Sequence, residues 1–334
     1  MRRARGNDRT GAVVRSGGSR PRGRAGRTVR FGESAPFLGA ALVVAFAVLA
    51  ATSATRPPTA PSAGRAIRVV AAENFWGSIV GQIGGDRVSV ESIITNPAAD
   101  PHAYEPTSAD ARAIANARLV VVNGLGYDPW ATKLLAADSG SATVLDVGRL
   151  LGLPVAANPH RWYDPADVRR VVAAAASDLS HLDPGSRSYF ERQARRFETV
   201  GLATYHQLID TIRARFAGTP VGASESIFSM LAPALGLRVL TPPTFLRAIS
   251  EGSEVSAGDR AVIDRQIRLR LIKIYVFNSQ NVTPDVQAQL AECHAEHIPT
   301  ATITETLAPA SSSYESWQVR ELRGILAALR EVRS

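Results

Sequence analysis

Leu119-Val120-Val121-Val122 runs without a polar residue into Asn123-Gly124-Leu125-Gly126. Four apolar residues ended by a glycine-rich turn read as a short strand covered on both faces, the kind found inside parallel sheets. The same grammar extends to either side. Ile67–Ala71 and Val88–Ile94 are strands, separated by residues 74–83 at helical spacing and by Gly84-Gly85. Thr107-Ser108-Ala109-Asp110 opens a helix, with Thr107 as N-cap and Asp110 in the capping-box position. Another helix leads to the strand Thr143-Val144-Leu145-Asp146. Strands alternating with helices imply a mostly parallel sheet with right-handed crossovers.

Pro165 opens a helix behind Asp164 as its cap, and Pro184 starts a longer one from about Gly185 to Phe216 with no proline inside. A helix of that length spans roughly 45–50 Å. Its polar face of arginine, glutamate and glutamine suits an exposed helix on one domain or a strut between two. The strut is the better reading, because the alternation restarts after it. Val221 begins a strand, residues 225–235 a helix and Arg238–Leu240 a strand. Leu271–Phe277 is the strongest strand signal in the chain. Thr283-Pro284 opens a helix to about His297, Thr300–Ile303 is a strand, and Tyr314–Val332 a terminal helix. The expected fold is α/β. Two lobes (67–182 and 218–334), each a mostly parallel sheet flanked by helices, are joined by one long helix (183–217).

The net charge of +8 suggests a nucleic-acid partner, but its location argues against one. Residues 1–34 hold ten arginines against Asp8 and Glu33, so residues 35–334 balance near zero. This Gly/Ser/Arg-rich tail has too few apolar residues to fold alone and reads as disordered. The uncharged apolar segment 35–55 is long enough to cross a bilayer and has the basic flank and small-residue end of a signal peptide or membrane anchor. The chain's single cysteine is Cys293, so no lipid-bearing cysteine follows that segment and no intrachain disulfide forms. Residues 56–66, rich in proline and small residues, read as a linker. The folded part is expected outside the cytoplasm.

Six histidines are present: 102, 160, 181, 206, 294 and 297. His181 in a turn and His206 on the long helix read as surface groups. Cys293 and His297 share a helical face with His294 beside them, a spacing able to hold zinc, although the set is short and isolated. His102 and His160 differ. Each sits in a proline-bracketed loop, Asp100-Pro101-His102-Ala103-Tyr104-Glu105-Pro106 and Asn158-Pro159-His160-Arg161-Trp162-Tyr163-Asp164-Pro165. Proline stiffens such loops, and each lies where a strand's carboxyl end meets a loop, the edge at which open α/β sheets bind ligands. Two stiffly held imidazoles make half of a metal site. Oxygen ligands would come from the second half: Glu225 in Ser224-Glu225-Ser226, where a helix N-terminus favours its charge, or Glu305 in Thr304-Glu305-Thr306.

These motifs resemble the zinc-uptake receptor family, the metal-binding solute-binding proteins of zinc and manganese ABC importers (cluster A-I). Residues 100–106 are similar to the family's Asp-Pro-His-x-(Tyr/Phe)-Glu-Pro and residues 158–165 to its Asp-Pro-His-x-Trp-x-Asp-Pro. Asn123-Gly124-Leu125-Gly126 with Trp130 also matches. The resemblance implies a periplasmic-binding-protein-like fold with a helical backbone and metal ligands His102, His160, Glu225 and Glu305. It further implies Zn2+, or next Mn2+, as the transported ligand of a monomer that hands it to an ABC permease and its ATPase. Glu305 stands where the family usually has aspartate, Asn158 replaces another aspartate, and the histidine-rich acidic loop of many zinc receptors is missing. No nucleic-acid partner is implied. Enzyme signatures such as His-Glu-x-x-His, Gly-x-Ser-x-Gly or a phosphate loop are lacking. Two other readings stay open. One is a metal-dependent hydrolase using Tyr104 and Glu105; the other is an adhesin or interaction protein (cell adhesion) on the same fold.

Overall fold

The computed structural model describes residues 66–97, 104–137 and 140–332. The arginine-rich tail, the apolar segment 35–55, the linker up to residue 65 and His102 lie outside the described residues. The first half runs β1 (Ile67–Glu73), α1 (Asn74–Gly84), β2 (Val88–Ile94), α2 (Ser108–Asn116), β3 (Leu119–Val122), α3 (Pro129–Ala137), β4 (Thr143–Asp146), α4 (Val147–Leu151) and α5 (Pro165–Leu182). Then come α6 (Arg187–Arg196) and α7 (Ala203–Phe216). The second half runs β5 (Pro220–Ala223), α8 (Phe228–Leu235), β6 (Arg238–Val239), α9 (Pro243–Ser250), α10 (Ala257–Arg268), β7 (Tyr275–Asn278), α11 (Pro284–Ala295), β8 (Thr300–Ile303) and α12 (Tyr314–Glu331).

Each half holds one four-stranded parallel sheet, ordered β2-β1-β3-β4 and β6-β5-β7-β8. In the first sheet Val69 pairs with Leu119 and Val121 with Leu145; in the second Gly222 pairs with Tyr275 and Val276 with Ala301. Both sheets reverse their winding at the same place, between β1 and β3 and between β5 and β7. Such switch points leave a crevice beyond the carboxyl ends of the strands, where α/β sheets take ligands. One continuous apolar core spans both halves, from Val121 and Trp162 to Val276, Ile303 and Trp317. The terminal helix α12 lies along α7 and β8 and touches α1, so the last element stitches the halves together.

Capping follows local chemistry. Thr107 accepts from the backbone of Ala109 and Asp110 while Asp110 accepts from Thr107 N, a complete capping box. Asp164 caps α5 with Pro165 at its first position.

Helices α9 and α10 are not expected from the sequence, and three expected elements differ in their bounds or continuity. The long helix is divided: a π-helical turn at Phe197–Gly201 and a non-helical Leu202 separate α6 from α7. Thr199 bonds back to the Arg195 carbonyl and Gly201 follows, so the break arises without proline. The strand expected at 271–277 is confined to Tyr275–Asn278; before it, Lys273 donates its N–H to Pro220 O and Ile274 O accepts from Gly222 N, while Leu271 turns back to donate to Gln266 O. Helix α8 starts at Phe228 rather than Glu225.

Candidate metal centre

The loop Asn158–Pro159–His160 is held from several sides. His160 is 1 % exposed, and its ring meets Trp162 and Tyr127 edge-on with centroids 5.2 and 6.0 Å away. Phe75 stacks on the other part of that cluster, 4.0 Å from Trp162. Asn123 at the end of β3 accepts from Trp76 Nε1 (3.1 Å) and donates to Pro159 O (3.0 Å), tying α1 to the residue before the histidine. Gly124 follows with φ +69°, where a Cβ would stand 2.5 Å from Asp146 Oδ1. Only glycine meets both demands.

Asn158 fixes the imidazole. Its Nδ2 donates to Ser226 O at 2.7 Å, so its Oδ1 must be the atom facing His160, where it accepts from the backbone N–H at 3.1 Å and lies 2.8 Å from Nδ1. An accepting oxygen there places the ring proton on Nδ1 and the ring's in-plane electron pair on Nε2. Nε2 stands 3.7 Å from Glu305 Oε1. Two ligands on one tetrahedral ion with bonds of 2.0–2.1 Å sit roughly 3.4 Å apart. The two atoms, one from each half, stand close to that separation.

Glu305 lies just beyond β8, and its side chain is 17 % exposed. Tyr127 OH donates to its Oε1 at 2.9 Å, and Gln280 Oε1 accepts from the backbone N–H groups of Glu305 and Thr306. Glu225 is 2 % exposed, beyond the end of β5. Because α8 begins three residues later, the helix N-terminus does not supply its counter-charge as expected. Asn278 Nδ2 donates to Glu225 Oε2 at 3.1 Å instead. Its neighbour Ser226 brings Oγ to 3.3 Å from His160 Nδ1. The structure thus brings His160 and Glu305 face to face and places Glu225 next in sequence to Ser226, whose hydroxyl approaches the imidazole, while His102 lies outside the described residues. Among the described residues no three His, Cys, Asp or Glu side chains group closely enough to hold a metal ion.

Several groups behind the site escaped sequence reading. Glu73 ends β1 and Asp128 follows the Asn123 turn, both fully buried. Asp128 accepts from the backbone of Asn123 (2.7 Å) and Gly124 (2.8 Å), which shapes the turn. Burial pushes its carboxyl up to about 6 against the pull of those N–H groups. Glu73 is raised well above the carboxylate range, by burial first and then by the charge of Asp128. Burial and the charge of Glu305 likewise drive the Tyr127 hydroxyl upward.

Glu321 on α12 is a second missed group. It accepts from Thr304 N (2.8 Å) and Thr304 Oγ1 (2.9 Å) and meets the Tyr163 hydroxyl, which also donates to Thr304 O at 2.7 Å. Tyr163 has one proton and two acceptors, so a protonated Glu321 donating to the phenol oxygen satisfies every group. Burial pushes the Glu321 carboxyl up to about 8, in agreement. The signal was a glutamate on the apolar face of α12, in line with Tyr314, Trp317 and Ile325.

The other sequence candidates fall away from the site. Helix α11 ends at Ala295, and His297 sits outside it at φ +52°. Cys293 points into an apolar cluster, where burial raises its thiol to about 12, while His294 and His297 are exposed. The trio, set aside in the sequence as short and isolated, does not converge: the thiol faces the core and the two imidazoles face outward. Tyr104 donates to Asp110 Oδ2 at 3.0 Å as part of the α2 cap, and Glu105 is exposed. His181 is exposed and His206 half-buried. No helix among the described residues is long and apolar enough to cross a membrane.

Residues 69–328 match the family described as zinc-uptake complex component A periplasmic. The manganese-binding lipoprotein MntA of Halalkalibacterium halodurans is 26% identical over 161 residues, 47% of this chain and 53% of that protein. The iron-binding protein YfeA of Yersinia pestis is 27% identical over 221 residues, 61% of this chain and 69% of its own. The chain thus spans between half and about two thirds of the length of these relatives. Among solved structures, a periplasmic metal binding protein of candidatus liberibacter asiaticus aligns with a TM-score of 0.66 at 21% identity, covering 79% of this chain and 99% of its own. The SBP FpvC of P. aeruginosa, in complex with Ni2+, aligns with a TM-score of 0.64 at 22% identity, covering 80% and 98%. At such identities the likeness is one of fold: the two-lobed α/β architecture is shared.

Proposed function

Because the chain belongs to the zinc-uptake complex component A periplasmic family, we propose that it is the extracytoplasmic solute-binding component of an ABC importer, capturing a divalent transition metal between its two halves. The observation behind this reading is the approach of His160 Nε2 to Glu305 Oε1 from opposite halves, with Asn158 holding the imidazole in its metal-accepting form. His102 and Glu225 complete the ligand set. Two neutral imidazoles, two carboxylates and a divalent ion sum to zero formal charge, so the occupied site is buried without an uncompensated ion.

Imidazole with carboxylate suits Zn2+ and Mn2+ and disfavours Cu(I). Of these two, Zn2+ binds the more tightly at equal geometry in the intrinsic order of divalent metals, so Zn2+ is the first candidate and Mn2+ the second. The captured ion draws together loops already linked across the crevice by Tyr127–Glu305, Asn158–Ser226 and Tyr163–Thr304. The divided α6–α7 strut limits hinge amplitude, so closure is a small tilt with loop ordering. Release needs a membrane permease, driven by its ATPase, that favours the open form. The chain acts as a monomer, exported or anchored by its apolar segment 35–55.

Competitive titration of the purified full chain with Zn2+ and Mn2+ tests the reading. One tight site per chain, tighter for Zn2+ and weakened at least a hundredfold in His102→Ala, is the expected result. Turnover of a hydrolysable substrate by the metal-loaded chain, or wild-type affinity in that variant, would refute it.

A further inference from the structure

A cavity of about 840 Å³ opens directly beside His160, between the loops of the two halves. It is far larger than an ion needs. A single water occupies about 30 Å³ of liquid, and sites for organic ligands measure ≈ 300–1,000 Å³. The wall from the first half runs from Leu125 and Gly126 to the segment 155–160, ending on the imidazole itself. From the second half come Ser226, Ser229, the 237–241 segment and the exposed face of α9.

The chemistry of this wall is not that of a water channel. Leu125, Val155, Leu237 and Leu246 supply apolar surface, and Ser226, Ser229 and Ser250 supply hydroxyls. Two cations, Arg238 and Arg247, stand on the wall against one acid, Glu251. Among the described residues neither guanidinium is engaged in an ion pair. A guanidinium presents a planar fork that fits a carboxylate in two parallel hydrogen bonds. A small organic anion with a short carbon skeleton is therefore what the cavity complements, and it meets the metal centre at His160 with Asn158 and Ser226 beside it.

Building on the receptor reading above, we propose that the chain takes its metal as a chelate with a small carboxylate-bearing organic ligand. The carbon skeleton lies in the cavity, one donor group reaches the ion beside His160, and a free carboxylate meets Arg238 and Arg247. The ligand class is an anionic oligocarboxylate or hydroxycarboxylate, for which citrate is the probe.

Equilibrium dialysis of the full chain with Zn2+ alone, labelled citrate alone, and both together tests this directly. The expected result is one citrate retained per bound zinc, with citrate held at least tenfold more weakly when zinc is omitted. In the double variant Arg238→Gln/Arg247→Gln, citrate retention falls on the order of a hundredfold, about tenfold per lost charged contact, while affinity for zinc alone stays within threefold. Ser229→Trp, which fills the cavity from its wall, gives the same loss and guards against a charge effect at long range. Zinc bound with citrate left free, citrate stripping zinc from the chain, or citrate held equally by both variants overturns the chelate proposal and leaves the receptor reading standing. Zinc–citrate binding without binding of zinc alone keeps the proposal and removes the bare-ion reading. Retention of neither sinks both.

Discussion

Replacing Glu321 by glutamine separates the proton from the shape of the clasp between the halves. Glu321 is 7 % exposed, and burial moves its carboxyl from 4.5 to about 8. Across the window between those values the folded chain holds a proton that the unfolded chain has released. Stability therefore falls as pH rises from about 4.5 to about 8 and levels off above it. The slope has a ceiling of 1.36 kcal/mol per pH unit, so this one group costs up to a few kcal/mol at pH 8 relative to pH 5. Glutamine imitates the protonated form: its carbonyl accepts from Thr304 N and Oγ1, and its amide donates to the Tyr163 hydroxyl. Urea unfolding followed by the fluorescence of buried Trp162 and Trp317 at pH 5, 6.5 and 8 reads the difference. Glu321→Gln should match the wild type at pH 5 and exceed it by a few kcal/mol at pH 8. Glu321→Ala should be weaker at every pH by about 2–4 kcal/mol, because it strands the donors of Thr304 and the Tyr163 hydroxyl. A difference between Gln and Glu that stays constant with pH, or shrinks as pH rises, would refute the protonated clasp.

The remaining predictions concern the site and its supports. Asn158→Ala frees the His160 ring to rotate and should lower zinc affinity 10–100-fold in competition titrations. Tyr127→Phe removes the hydrogen bond to Glu305 Oε1, and zinc should bind about tenfold more weakly with little change in the urea midpoint. Gly124→Ala combines a strained φ with a contact at 2.5 Å to Asp146, and denaturant titration should show a loss of about 1–3 kcal/mol. Zinc affinity should fall steadily below about pH 6.5, because protonated imidazole cannot coordinate.

Element types were legible wherever local chemistry and burial agree. Leu119–Val122 could only be a covered strand, and Thr107, Asp164 and Thr283 announced helix starts through side chains that cap them. Helices α9 and α10 went unread, because Pro242-Pro243 and the charged 257–268 stretch blur any apolar period. The interruption at Phe197–Gly201 was invisible for a related reason: a π turn is a matter of hydrogen-bond register, which Thr199 and Gly201 permit but do not announce. At the site, the paired loops pointed to His102 and His160 and the second half to Glu225 and Glu305; of these, His160 and Glu305 stand 3.7 Å apart. The supports were hidden. Nothing in the one-dimensional pattern says that Glu73, Asp128 and Glu321, three acids far apart in the chain, end up buried around the two ligand loops. An acid on an otherwise apolar strand end or helix face was the only hint. The shared helical face of Cys293 and His297 presumed a helix to about His297, which stops two residues short of it.

X-ray absorption at the zinc edge on the full chain loaded with one equivalent of zinc counts the imidazoles on the ion. Two are expected in the wild type with oxygen making up the remainder, one in His160→Ala, one in His102→Ala, and an altered oxygen shell in Glu305→Ala. A spectrum with sulfur in the shell, or one left unchanged by His160→Ala, would contradict a cation held between the two halves.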